Sequence, residues 1–180
     1  MTRYVALLRG VSPMNARNAL TDGGFFVPDP WTRTRASGSY LLGKMSEALN
    51  QAVNENARRR LTANSLVWLM AGAAVNARAR NYVEYLRLLF ASTKHHWMRA
   101  MFLDLLLADT FVTQVQRKRP GFASLFLNAA AHIQHHYMFS SRVYDGPHRN
   151  PDWYLPPGMD PLLEIYRVYD RVLEDIVATL

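Results

Sequence analysis

The feature that most constrains the fold is a helical spacing of apolar residues that fills the middle of the chain. Apolar residues recur every three or four positions through residues 39–60 and again through 81–117, where a break near 92–94 divides the pattern. Thr62 or Asn64 can cap a further helix that runs through Ala77. A block of about four consecutive helices suits an insertion or cap better than alternating strand and helix units. We therefore expect residues 39–119 to form a helical insertion or cap.

Short apolar runs lie on both sides of this block. Residues 4–8, 25–27 and 122–127 each have the composition of a short buried strand. Pro28 and Pro30 favour an extended connection before the helices, and Pro120 closes the helical block. The pattern predicts an α/β fold that is predominantly helical, with a few short strands, in a single domain over residues 1–180.

The last part of the chain, residues 120–180, is expected to contain a strand, a histidine-bearing helix, a loop and a terminal helix. The loop is rich in proline and glycine, and the terminal helix has a clear start. Asp160 can accept hydrogen bonds from the first turn, Pro161 fits the first helical position, and one apolar stripe runs from Leu162 onward.

Composition excludes several classes of protein. The chain has no cysteine, which rules out disulfides, thiolate zinc sites and cysteine nucleophiles, and makes the reducing cytoplasm the expected location. The longest apolar stretches, such as residues 67–75, fall short of the roughly 18 residues that indicate a membrane span. No phosphate-binding glycine loop, dinucleotide fingerprint or nucleophile elbow is present.

The net charge of +7 is concentrated in the first two thirds of the chain. Residues 1–119 carry 17 basic and 7 acidic residues, whereas residues 120–180 carry 4 basic and 7 acidic ones. A basic surface attracts nucleic acid and other anions. The dense clusters, residues 58–60 and 117–119, lie near expected helix ends, where cations also complement the helix dipole. Both roles for these clusters, binding of anions and stabilisation of helix ends, stay open.

Three histidines form the strongest candidate for a functional centre. His132, His135 and His136 stand at i, i+3 and i+4 of the helix expected after residues 122–127, so all three can project from one face. The spacing of His132 and His136 is that of two ligands for one metal, which predicts zinc or another divalent metal. Asn128 and Asp29 are candidates for contacting a substrate or orienting the ligands. The alternative, that these are ordinary polar helix residues and a turn aspartate with no metal bound, stays open.

A resemblance to a known family is carried by VPDPW at residues 27–31, RPGFASLFLNAAAHIQHHY at 119–137 and YRVYDRVLEDI at 166–176. From about residue 25 onward the order of these segments resembles the central part of bacterial alkaline-phosphatase-superfamily proteins, the branch akin to type I phosphodiesterases and nucleotide pyrophosphatases. The resemblance implies an alkaline-phosphatase-like α/β fold, a phosphate or sulfate ester as substrate, and a metal-ligand position at or near His132 or His135.

The same resemblance implies that the hydrolytic machinery is incomplete. Superfamily members begin with a strand that ends in a metal-binding aspartate and the nucleophile segment, and they finish with a strand that bears an Asp-His pair; neither is found here. Residues 1–16 instead resemble the start of a different small bacterial family of unknown function, so residues 1–24 look foreign to the rest. We expect a truncated, hydrolase-like relative without hydrolytic activity of its own.

Two further hypotheses do not depend on that resemblance. The chain can be a non-catalytic, basic helical module that binds anionic partners, for which a steep loss of affinity with salt is the test. It can also form a homo-oligomer, because a piece of a larger α/β fold exposes sheet edges and apolar faces.

Overall fold

The computed structural model describes residues 24–28, 30, 34–54, 61–121 and 123–179. Within these ranges the chain forms six α-helices: α1 (Tyr40–Asn54), α2 (Ala63–Asn76), α3 (Tyr82–Ala91), α4 (Met98–Lys118), α5 (Ala129–Tyr137) and α6 (Pro161–Val177). Short 3₁₀ turns occupy Ala79–Asn81, Met138–Ser140 and Asp152–Tyr154. None of the described helices is long and apolar enough to cross a membrane.

The expected α/β fold is wrong for the part of the chain that the structure describes. No strand or sheet occurs there, and the single pairing of extended backbone is an isolated antiparallel bridge between Phe26 and Ser37. Residues 123–128 are not a buried strand, since they lie outside any ladder and the Phe126 side chain is 43% exposed. Residues 25–27 contribute only the bridge residue, and residues 4–8 lie outside the described ranges. A strand needs a partner, and the helices leave none for these runs.

The chain divides into two compact units, each built around its own apolar centre. The first comprises the described residues of 24–78 and 109–126, and the second comprises those of 79–108 and 127–179. The single-domain prediction is not tested by this division.

The first unit is centred on a hairpin of α1 and α2. Gly72 of α2 allows this close packing, because a Cβ atom at that position would lie 2.6 Å from the Met45 sulfur of α1. The predicted cap of α2 is confirmed, since the Thr62 side chain accepts a hydrogen bond from the Ser65 backbone N–H. Among the described residues of this unit, the buried apolar side chains are those of Leu42, Met45, Ala48, Leu49, Leu69, Ala73 and Val112.

The second unit is built from α3, the first half of α4, α5 and α6. The predicted start of α6 is confirmed, since Asp160 accepts a hydrogen bond from the Leu163 N–H and Pro161 opens the helix. The predicted break near residues 92–94 is also confirmed, because it separates α3 from α4. Leu88, Met101, Leu105, Ile133 and Ile165 are fully buried in this unit, which places one side of the histidine-bearing helix against its core.

Candidate metal-binding helix

The helix that carries the histidines, α5, is capped by a residue from another helix. Asn128 stands at the N-cap position but its side chain makes no capping hydrogen bond. Instead, the Ala129 N–H donates to Oδ2 of Asp104 on α4, at 2.7 Å. The hydroxyl of Tyr169 on α6 donates to the same oxygen at 2.6 Å and accepts a hydrogen bond from the Ala130 N–H at 3.2 Å. Two of the N–H groups that a helix start leaves unpaired are therefore satisfied by other helices.

The carboxyl group of Asp104 lies in an apolar environment that disfavours its charge. Burial raises its pKa to about 6, against the opposing effect of the hydrogen bonds from Tyr169 and from the backbone of Ala129 and Asn128. Burial, and next the neighbouring Asp104, raise the pKa of Tyr169 as well, so its hydroxyl stays protonated and remains a donor. The buried Asp104 and the half-buried Tyr169 together fix the position at which α5 begins.

The structure brings two of the three histidines together. The ring centroids of His132 and His136 are 4.9 Å apart, with the rings edge to face on adjacent turns of α5. Both residues are exposed, whereas Ile133 between them is fully buried. Partial burial, followed by the charges of His136 and His135, lowers the pKa of His132. The lowered pKa favours the neutral imidazole, which has a nitrogen lone pair to offer a metal.

Two other predicted site residues lie on α5 or at its start. His135 is exposed on the same helix, and Asn128 is exposed at its start. Asp29 lies outside the described residues. Among the residues that the structure describes, no group of three or more histidine or acidic side chains is placed to hold a metal ion. The three-histidine site stays a prediction.

A run of aromatic rings extends from the histidine pair into the following loop. The Tyr137 ring centroid lies 6.2 Å from that of His136 and 5.7 Å from that of Tyr154, which in turn lies 6.0 Å from the ring of Trp153. Trp153 is 81% exposed. These successive ring contacts connect the Trp153 indole to the histidine pair, so its fluorescence can report a structural change at α5.

Sequence reasoning missed Asp104 and Tyr169, the two residues that define the start of α5. A weak signal was present, because Asp104 falls on the same helical face as Met101, Leu105 and Ala108, all of which are buried. An acidic residue at an apolar position of a helix must find partners inside the protein. The identity of those partners depends on contacts 25 and 65 residues distant in sequence, which no local pattern reveals.

Comparison with known proteins adds no relative. No protein-family model matches the chain, and neither the curated proteins nor the solved structures contain a match. The resemblance to the alkaline-phosphatase superfamily therefore remains a prediction from the sequence motifs.

Proposed function

We propose that this protein binds a divalent transition-metal ion through His132 and His136. The observation that carries the proposal is the pairing of their two rings, 4.9 Å between centroids, on the exposed side of α5. Exposed side chains reorient at little energetic cost, so the two rings can turn their nitrogens toward one ion at the usual Zn–N distance of about 2.0–2.1 Å.

The attachment of α5 supports this proposal. Residues one helical turn apart are neighbours only while the helix is formed. Asp104 and Tyr169 hold the first turn, and the buried Ile133 holds one side of the helix against the core. The helix thus holds the two ligand positions one turn apart, which reduces the entropy lost on metal binding.

The nature of the ligands favours some ions over others. Neutral imidazole suits zinc, nickel and copper, whereas magnesium and calcium prefer carboxylate and carbonyl oxygens. Two protein ligands leave the other coordination positions to water, so we expect reversible binding that weakens as the pH falls and the imidazoles are protonated.

The proposal is limited to binding. A hydrolytic zinc site commonly has three protein ligands and an open position for water, and the superfamily that the sequence resembles draws its ligands from several strand ends. The described part of this chain forms helices and has no such strand ends. A phosphate or sulfate ester substrate is therefore supported by the sequence resemblance alone.

The reducing cytoplasm is the proposed location because the chain has no cysteine.

Isothermal titration of the full chain with Zn²⁺ or Ni²⁺ tests the proposal. We expect one ion per chain and a loss of affinity of roughly tenfold or more in His132→Ala and in His136→Ala, because one ligand is not a chelate. His148→Ala is the matched control, since it removes an exposed imidazole that lies outside α5. Equal affinity of the wild type and the His132→Ala variant would contradict the proposal.

A second candidate is binding of an anionic partner by the basic cluster at the end of α4. Arg117, Lys118 and Arg119 are all exposed there. The electrostatic mechanism requires affinity for a nucleic acid probe to fall steeply between low and physiological salt. An affinity that is independent of salt would exclude it.

A further inference from the structure

The pair of imidazoles on α5 fills only part of the coordination sphere that zinc prefers. Structural zinc sites are almost always tetrahedral, with four protein ligands. The site proposed above supplies two of them, from His132 and His136, whose ring centroids lie 4.9 Å apart. Imidazole suits zinc better than water does, so the two remaining positions favour further nitrogen ligands.

The exposure of the pair leaves those two positions open to another protein chain. His132 and His136 are both exposed, whereas Ile133 between them is buried in the core of its unit. None of the nine residues of α5 is a lysine, arginine, aspartate or glutamate. A chain that approaches the ion along this helix therefore meets side chains without a permanent charge.

A second copy of this chain carries the ligands that the ion lacks. In a two-fold symmetric dimer the same residues stand on both sides of the axis, so an ion on the axis receives the same ligands from each chain. His132 and His136 of two copies are then four imidazoles around one ion. The second imidazole of each copy is on the same helix as the first, so it reaches the ion at a high effective concentration, whereas each water binds separately.

We propose that one zinc ion joins two copies of this chain, with His132 and His136 of each copy as its four ligands. This inference rests on the proposed metal binding and identifies the partner of that site as a second copy. The sheet edges that first suggested self-association are not found in the described part of the chain, and a shared ion takes their place.

The ratio of zinc to protein decides which complex forms. At half an ion per chain, each ion gains two ligands when it is shared, so the dimer dominates. When zinc is in excess, each chain takes an ion of its own and water fills the other positions, so the dimer separates. Saturation is thus reached at one ion per chain, after a dimer has formed at half that amount.

Light scattering of the full chain on a size-exclusion column, run at three zinc contents of the buffer, tests the shared ion. We expect the 20.6 kDa chain mass without zinc, twice that mass at half an ion per chain, and the chain mass again in a large excess of zinc. His136→Ala should keep the chain mass at every ratio, because each copy then brings one ligand. His148→Ala is the matched control and should dimerise as the wild type does, since this exposed imidazole lies outside α5.

Isothermal titration with zinc separates failure of the shared ion from failure of metal binding. We expect two phases, with a break at half an ion per chain. A wild type that binds zinc but keeps the chain mass at half an ion per chain would overturn the shared ion and leave metal binding by α5 intact. A chain that binds no zinc would overturn both. A dimer that persists in EDTA, or that His136→Ala still forms, would also overturn the shared ion.

Discussion

At the scale of single residues, Asp104 carries the clearest electrostatic consequence. Its carboxyl group is buried, and the hydrogen bonds from Tyr169 and Ala129 only partly offset the loss of hydration. The folded state therefore holds a proton on this group more tightly than the unfolded chain does. Because the pKa rises on folding, from 3.8 to about 6, the stabilising contribution is complete below pH 3.8 and is lost as the pH rises through about 6.

Replacement of Asp104 by asparagine is expected to remove this pH dependence. The amide oxygen can still accept from the Ala129 N–H, but the group no longer titrates. Between pH 5 and pH 7 the wild type should lose roughly 1 kcal/mol of unfolding free energy relative to Asp104→Asn. Urea unfolding at the two pH values measures the difference.

His132 changes stability in the opposite direction as the pH changes. Its pKa is lowered on folding, so its contribution is present at high pH and is lost as the pH falls. That contribution is common to the wild type and Asp104→Asn, and cancels in the comparison. Exposed Asp170→Asn is the control for loss of a carboxylate and should keep the wild-type pH dependence. An Asp104→Asn variant with that same dependence would contradict the assignment.

At the scale of elements, two glycines inside helices have opposite roles. Gly72 of α2 faces Met45, which is fully buried, and an added Cβ would lie 2.6 Å from the Met45 sulfur. Gly43 of α1 has no atom within 4 Å of its Cβ position. The first glycine allows two helices to approach closely, whereas the second only weakens the helix that contains it.

Alanine substitutions at the two glycines should therefore change stability in opposite directions. Gly72→Ala is expected to lower the free energy of unfolding by about 1–3 kcal/mol, because the buried Met45 has little room to move. Gly43→Ala should raise it by roughly 0.5–1 kcal/mol through helix propensity. Thermal unfolding of both variants measures the two changes, and a stabilised Gly72→Ala would show that the α1–α2 packing is looser than described.

Helix starts were predictable where the capping residue is local. Thr62 caps α2 and Asp160 caps α6 from the adjacent position, so the sequence pattern was sufficient for both. The cap of α5 was not predictable, because Asp104 belongs to another helix and reaches the Ala129 N–H through tertiary packing. The helix itself nevertheless follows residues 122–127, as predicted, and starts at Ala129.

At the scale of the whole molecule, helices occur where the sequence predicted the helical block, whereas the predicted α/β fold is wrong because the described residues form no strand. Helical spacing is a property of consecutive residues, whereas a strand exists only when another strand pairs with it. Residues 123–128 have the apolar composition of a strand, but in the structure they lead directly into α5 and pair with no other strand.

For the candidate site, the spacing of the histidines predicted that His132 and His136 share a helical face. In the structure their two rings are in edge-to-face contact.

Anomalous X-ray diffraction at the zinc absorption edge, from crystals of the full chain grown with Zn²⁺, tests metal binding by α5 most directly. We predict one anomalous peak per chain, about 2.0–2.1 Å from a ring nitrogen of His132 and of His136. The same crystals of His136→Ala should lack that peak. A zinc ion bound elsewhere on the chain, with no density between these two imidazoles, would contradict the account.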